Sequence, residues 1–215
     1  MTTATDIAKL LLSIKAVALN VKEPFRYTSG ILSPIYCDNR VIISHPDQRN
    51  HVINAFLEII NEESLAFDVV AGTATAGIPH AAWIADRLNK PMVYVRSKAK
   101  GHGKQNQIEG SLEKGQKALV VEDLISTGGS AINAALALRD AGAIVDDCVA
   151  IFDYQLPISL QRFQEAKVQS HTLSNFPTLI ETARNNKILT DDECDQALLW
   201  YQNPEAWEET TSKTT

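Results

Sequence analysis

Between Ala118 and Asp140 the chain reads ALVVEDLISTGGSAINAALALRD. An apolar run enters two adjacent carboxylates, Glu122 and Asp123, passes through Ser126, Thr127, Gly128, Gly129 and Ser130, and continues into an alanine-rich helical stretch. A strand that turns through glycines into a helix leaves free backbone N–H groups and the positive end of the helix dipole at residues 127–130, a seat for a dianionic phosphate. The order of elements also restricts the fold, because β-branched runs without polar alternation belong in a parallel sheet covered on both faces.

The same alternation recurs along the chain. HPDQRNHVINAFLEIINEE puts Val52, Ile53, Phe56, Leu57 and Ile60 on one helical face, with Pro46 suited to the first turn. FDVVAG reads as a buried strand, IPHAAWIADRLN as a helix, PMVYV and KALVV as strands, residues 129–141 as a helix and IVDDCVAIFDY as a further strand. A helix near 156–166 and a short strand around 168–173 follow, and Thr190 with Glu193 forms a capping box for a helix reaching Trp200. Repeated strand–helix alternation gives one α/β domain over residues 1–215, with right-handed crossovers and helices on both faces of a mostly parallel sheet. The leucines near the N-terminus fall at helical spacing and are interrupted by lysines, which fits a packed helix rather than a signal peptide.

From Arg96 to Lys117, 22 residues with no helical pattern separate two strands. A loop of that length in a small domain is a lid or a binding loop. Gly101, Gly103 and Gly110 give it freedom, and Arg96, Lys98, Lys100, His102 and Lys104 give it positive charge. Elsewhere the balance is acidic, with a formal net charge of −6, so no general nucleic-acid coat is expected and an anionic ligand must be met by this local cluster. Cys37, Cys148 and Cys194 are odd in number, far apart and not spaced as metal ligands, pointing to a reducing, cytoplasmic compartment. No apolar run is long enough for a membrane span.

A phosphate seat beside two negative charges needs a ligand that uses both. Carboxylates only accept hydrogen bonds, so Glu122 and Asp123 require donors or a cation. A ribose 5-phosphate satisfies the pattern, with its phosphate on the helix end, its vicinal hydroxyls on the acids and Mg2+ easing the repulsion. The sequence carries neither the Walker pattern nor Gly-x-Gly-x-x-Gly.

The stretch from Ala118 to Ser130 resembles the phosphoribosyl pyrophosphate (PRPP) motif of type I phosphoribosyltransferases. Together with RYTSGILSPIYCDNR, AGTATAGIPHA and YVRSKAKGHGKQNQIEG, it resembles the orotate phosphoribosyltransferase family. The resemblance implies the type I phosphoribosyltransferase fold, with a small hood from roughly residues 1–40 and the C-terminal part, and a flexible lid over roughly 97–112. It implies Mg2+-dependent transfer of ribose 5-phosphate from PRPP to N1 of orotate, giving orotidine 5′-monophosphate and pyrophosphate on the way to UMP. By the same resemblance Arg96, Lys100 and His102 bind pyrophosphate and act in catalysis with Asp123. Glu122, Asp123, Leu124, Ile125, Ser126, Thr127, Gly128, Gly129 and Ser130 hold the rest of PRPP, and Mg2+ is bound mainly through PRPP rather than by protein ligands. Ser126 is similar to a hydroxyl that contacts orotate. Tyr36 and Arg40 either stack on orotate and neutralise its carboxylate, or are a hairpin tyrosine and a surface arginine. GTATAG is either the pyrophosphate loop or a strand-to-helix turn that needs small residues. A homodimer is implied, with each lid serving the neighbouring site. Thr28, Lys98 and Tyr154 depart from the pattern of enteric members, and no role is carried over to them. The alternatives are a purine-type phosphoribosyltransferase, which would need another base pocket, and a PRPP-binding transcription regulator, which would need a basic face.

Overall fold

Thr3 opens the first helix, α1 (Ala4–Ser13), by a capping box with Asp6, and Ile7, Ala8 and Leu11 turn the N-terminal apolar stripe inward. In the computed structural model, which describes residues 2–26, 32–97, 107–203 and 207, four short strands follow. They are β1 (Val17–Leu19), β2 (Phe25–Arg26), β3 (Leu32–Ser33) and β4 (Ile35–Cys37). β1 pairs antiparallel with β4, and β2 with β3. A 3-10 turn over Asn39–Ser44 leads into α2 (Pro46–Glu62), whose Val52, Ile53, Phe56 and Ile60 are buried as their spacing requires.

Strand and helix then alternate: β5 (Val69–Thr73), α3 (Gly77–Leu88), β6 (Met92–Val95), β7 (Ile108–Glu109), β8 (Ala118–Ile125), α4 (Gly129–Asp140), β9 (Asp147–Asp153), α5 (Pro157–Ala166) and β10 (Gln169–Asn175). Two helices close the chain, α6 (Phe176–Asn185) and α7 (Asp191–Gln202). Among the described residues the main sheet has six strands in the order β10-β9-β8-β5-β6-β7. Its pairings are parallel except at the β6–β7 edge. One apolar cluster packs α1, α2, α3, α6 and α7 on one face, and a smaller one packs α4 and α5 on the other.

Three features depart from the reading of the sequence. β8 does not stop at Val121 but carries Glu122 and Asp123 inside it, ending at Ile125. The reason is β9, which continues the ladder with Glu122 opposite Ala150, Leu124 opposite Phe152 and Ile125 opposite Asp153. Second, the segment after β6 returns to the sheet at β7, with Tyr94 opposite Glu109 and Val95 opposite Ile108. The stretch expected as the lid therefore divides: 98–106 lie outside the described residues, and 108–109 form the sheet's antiparallel edge. Third, α6 was not anticipated, although Asn175 caps it by accepting from the Thr178 N–H at 3.0 Å and Pro177 occupies its first turn.

The N-terminal strands are tied to α7. Trp200 is buried and its Nε1 donates to the Leu32 carbonyl at 2.9 Å, while Tyr154 and Phe176 meet the Trp200 ring at 6.2 and 5.5 Å. Lys22 reaches Glu193 at 3.2 Å. Tyr154 is thus part of an aromatic core.

His80 on α3 is fully buried, and neither ring nitrogen has a hydrogen-bond partner among the described residues. Burial lowers its pKa from the ordinary 6.5 to about 4. The unfolded chain therefore takes up a proton that the folded one refuses, and stability is lost as pH falls from 6.5 towards 4. His80→Leu removes this term. Thermal unfolding across that window should show the variant gaining on the wild type by up to about 3 kcal/mol, and a pH-independent difference would mean His80 is not a buried neutral ring.

Candidate active site at the β5–β8 switch point

The connection after β5 leads to β6 on one side of the sheet, while those after β8 and β9 lead to β9 and β10 on the other. Such a reversal opens a crevice at the C-terminal ends of the strands, where α/β proteins bind ligands. The β5–β8 ladder ends at Gly72 opposite Val121, so beyond that point β8 is laddered only to β9 among the described residues. Glu122 and Asp123 lie on this released edge.

Adjacent residues of a strand start towards opposite faces, and the surroundings of the two acids differ accordingly. Glu122 is 4% exposed. Its Oε1 lies 2.6 Å from Thr73 Oγ1 and accepts from the Asp123 N–H at 3.0 Å. Its Oε2 is buried with no hydrogen-bond partner among the described residues. Asp123 is half-buried and faces the N-terminal strands, where the buried Asn39 amide donates to its carbonyl oxygen at 2.6 Å. The two carboxyls still interact directly. Burial first, then the charge of Asp123, pushes Glu122 up to about 7. Burial also raises Asp123.

After β8 the chain passes Ser126 and Thr127 and enters α4 through Gly128, whose φ of +76° is the left-handed conformation glycine adopts most easily. No side chain among the described residues caps α4, so its first N–H groups remain for a ligand. Residues 124–131 line a cleft of about 100 Å³ here. α5 supports this turn from behind: a Cβ at Gly128 would lie 3.1 Å from the Phe163 ring, and Arg162 Nη1 donates to the Thr127 carbonyl at 2.9 Å. Arg162 had not been singled out, since it lies on an exposed helical face with nothing in its spacing to mark it.

GTATAG turns from β5 into α3 and faces the acids. Its glycines are required for space, as the structural alternative had it. A Cβ at Gly72 would lie 2.9 Å from Ala81 Cβ, and one at Gly77 would collide with the Val121 carbonyl oxygen and Thr73 Oγ1. Helix α3 therefore begins pressed against β8, beside Glu122.

The remaining candidates are placed unevenly. Tyr36 is 45% exposed on β4, its ring 5.8 Å from that of Phe25. Arg40 makes a two-pronged ion pair with Asp38, with Nε and Nη2 at 2.6 and 2.8 Å. Asp38 first, and Asp123 as a minor contributor, raise the Arg40 pKa. Arg96 pairs with Glu109 at 3.2 Å across the β6–β7 edge. Lys100 and His102, with Thr28 and Lys98, lie outside the described residues. Asn39 and Thr73 were missed: each is a small polar residue in a stretch whose neighbours drew the attention, and only folding shows that it touches the acids.

Gly77→Ala tests this packing. The added methyl has backbone on one side and the Thr73 hydroxyl on the other, so the variant should lose about 1–3 kcal/mol in thermal or urea unfolding; wild-type stability would contradict the contact.

A family model described as the phosphoribosyl transferase domain matches residues 43–180. The chain is 63% identical to the orotate phosphoribosyltransferase of Coxiella burnetii, over 97% of this chain and 100% of that relative. It is 51% identical to that of Listeria monocytogenes, over 96% of this chain and 99% of the relative. The crystal structure of orotate phosphoribosyltransferase from Aeropyrum pernix superposes with a TM-score of 0.72 at 30% identity, covering 81% of this chain and 96% of that one. With the switch-point crevice, the acid pair and the uncapped phosphate turn in one place, these similarities establish that the chain belongs to the orotate phosphoribosyltransferase family.

Proposed function

We propose that the chain transfers ribose 5-phosphate from PRPP to N1 of orotate, releasing pyrophosphate and forming orotidine 5′-monophosphate. The observation that carries this reading is the acid pair at the released end of β8, directly before the uncapped N-terminus of α4. A pentose phosphate spans the two, its phosphate on the N–H groups of residues 127–130 and its diol on Asp123 and Glu122. The Oε2 of Glu122 lacks a donor among the described residues, which a sugar hydroxyl supplies.

In this reading the GTATAG turn faces the leaving pyrophosphate and the base enters from the side of β4, near Ser126, Tyr36 and Arg40. Arg40 must reorganise from Asp38 to reach a carboxylate, and Arg96 from Glu109 to reach pyrophosphate. Both pairs are at least one-third exposed on the arginine side, so the cost of breaking them is small. Negative charge gathers on pyrophosphate as the glycosidic bond breaks, and Arg96, Lys100 and His102 stabilise it. Asp123 fixes the sugar while the base approaches.

Among the described residues no three His, Cys, Asp or Glu side chains converge as a metal site. The chain instead sets two carboxylates at the rim of a phosphate cleft, which suits a cation carried by PRPP, since Mg2+ favours phosphate oxygens and retained waters. Mg2+ bound in that way supplies charge neutralisation for the departing pyrophosphate. No helix among the described residues is long and apolar enough to cross a membrane, and the three cysteines are free thiols, which supports a cytoplasmic enzyme. A homodimer in which each lid serves the neighbour's crevice completes the proposal, with one domain that includes the N-terminal strands and α7 as a hood.

The decisive assay follows orotate absorbance on adding PRPP and Mg2+ to the purified chain, with loss expected; no consumption under any condition would end this reading. Lys100→Ala should lower turnover by roughly 10²–10³-fold, as removal of one preorganised donor does. Near-normal turnover would remove Lys100 from the mechanism. Asp123→Asn should weaken PRPP binding, measured by titration, and unchanged affinity would refute its hold on the ribose.

A further inference from the structure

Thr73 is the last residue of β5 and 1% exposed, and its hydroxyl crosses the crevice to β8. Oγ1 lies 2.6 Å from Glu122 Oε1 and 3.1 Å from the Val121 carbonyl oxygen. A threonine hydroxyl has one proton to give and lone pairs to receive, so it cannot donate to both oxygens at once. The two protonation states of Glu122 resolve this. When the carboxyl is ionised, Thr73 donates to Oε1. When it is protonated, its O–H donates to Thr73 Oγ1 and Thr73 donates to Val121. The same heavy-atom positions satisfy both states, and the side chain need not move when the proton leaves.

Gly77 makes the arrangement possible, since any side chain there would occupy the position of this hydroxyl. The interaction also joins two strand ends that chain order keeps apart, the end of β5 that opens the GTATAG turn and the acid-bearing part of β8.

We propose that Thr73 is a positioning residue for PRPP: its hydroxyl holds Glu122 in one orientation and supports the ionised carboxylate when ribose hydroxyls arrive to be accepted. This deepens the reading of the site given above and rests on it. The raised pKa of Glu122 fits such a role, because a carboxyl near 7 in the free protein needs a donor beside it to remain an acceptor at neutral pH. Removal of that donor raises the Glu122 pKa further, so fewer molecules hold the ionised form and the loss is greatest on the acid side.

The test compares wild type, Thr73→Val and Thr73→Ser in full-length protein, measuring kcat and KM for PRPP in orotate consumption from pH 5.5 to about 9. This range brackets the raised carboxyl. Valine keeps the shape without the hydroxyl, and serine keeps the hydroxyl. Thr73→Val should move the acid limb of kcat/KM for PRPP upward by about one pH unit, costing about fivefold at pH 7 and roughly tenfold at the acid end of the range. Most of that loss should lie in KM, with Thr73→Ser retaining the wild-type limb. An unmoved limb in Thr73→Val, or an equal loss at every pH, would overturn the inference while leaving the activity itself intact. Inactive wild type would instead refute the underlying reading. Should Thr73→Val fail to fold, a serine variant whose limb shifts upward would overturn the inference, and one that keeps the wild-type limb would support it.

Discussion

β5 and β8 run side by side, yet their helices leave for opposite faces of the sheet, so the end of β8 is laddered to β9 alone. That one-sided support is what the site is built on. A strand end held by a single neighbour is rigid in position and open along one edge, and the two acids occupy this edge. Had β5 continued beside it, ladder bonds would have filled the space where a ligand must lie. The glycines at 72 and 77 act at the same place, letting α3 turn away tightly enough that the crevice is narrow but not closed.

Holding two carboxyls there has a cost. Burial raises both, and the charge of Asp123 raises Glu122 further; taking an ionised carboxylate out of water is tolerated only when donors replace the lost solvent. The free protein supplies some of them: Thr73 and the Asp123 N–H for Glu122, with Asn39 fixing the backbone of Asp123. Among the described residues none serves Glu122 Oε2. On the proposed reading, a ligand rich in hydroxyls relieves a deficit already present, which ties affinity for the sugar to the way the acids are packed rather than to the number of contacts made.

The large periodic elements were legible in the sequence. The stripe Val52, Ile53, Phe56 and Ile60 is buried in α2 as its spacing demands, and the capping box at Thr190 and Glu193 opens α7. What escaped depended on partners distant in sequence. Nothing local reveals that β9 carries β8 past Val121, so the acids read as loop residues although they belong to a strand. Asn39 lies 84 positions from the carbonyl it holds and Thr73 lies 49 from Glu122, distances over which composition carries no signal. Tyr154, to which no role was carried over, is buried among Phe152, Phe176 and Trp200, contacts that its local sequence does not announce. α6 was a different kind of miss: Asn175, Pro177 and the apolar Leu179, Ile180 and Ala183 announce it locally.

The bond from Trp200 to the Leu32 carbonyl joins segments 168 residues apart. During synthesis on the ribosome, the turn at residues 126–130 has emerged well before Trp200 leaves the exit tunnel. The N-terminal ribbons must then wait, without their aromatic anchor, until Trp200 has emerged. The tie between the N-terminal strands and α7 is thereby scheduled last, after every strand of the main sheet has been made.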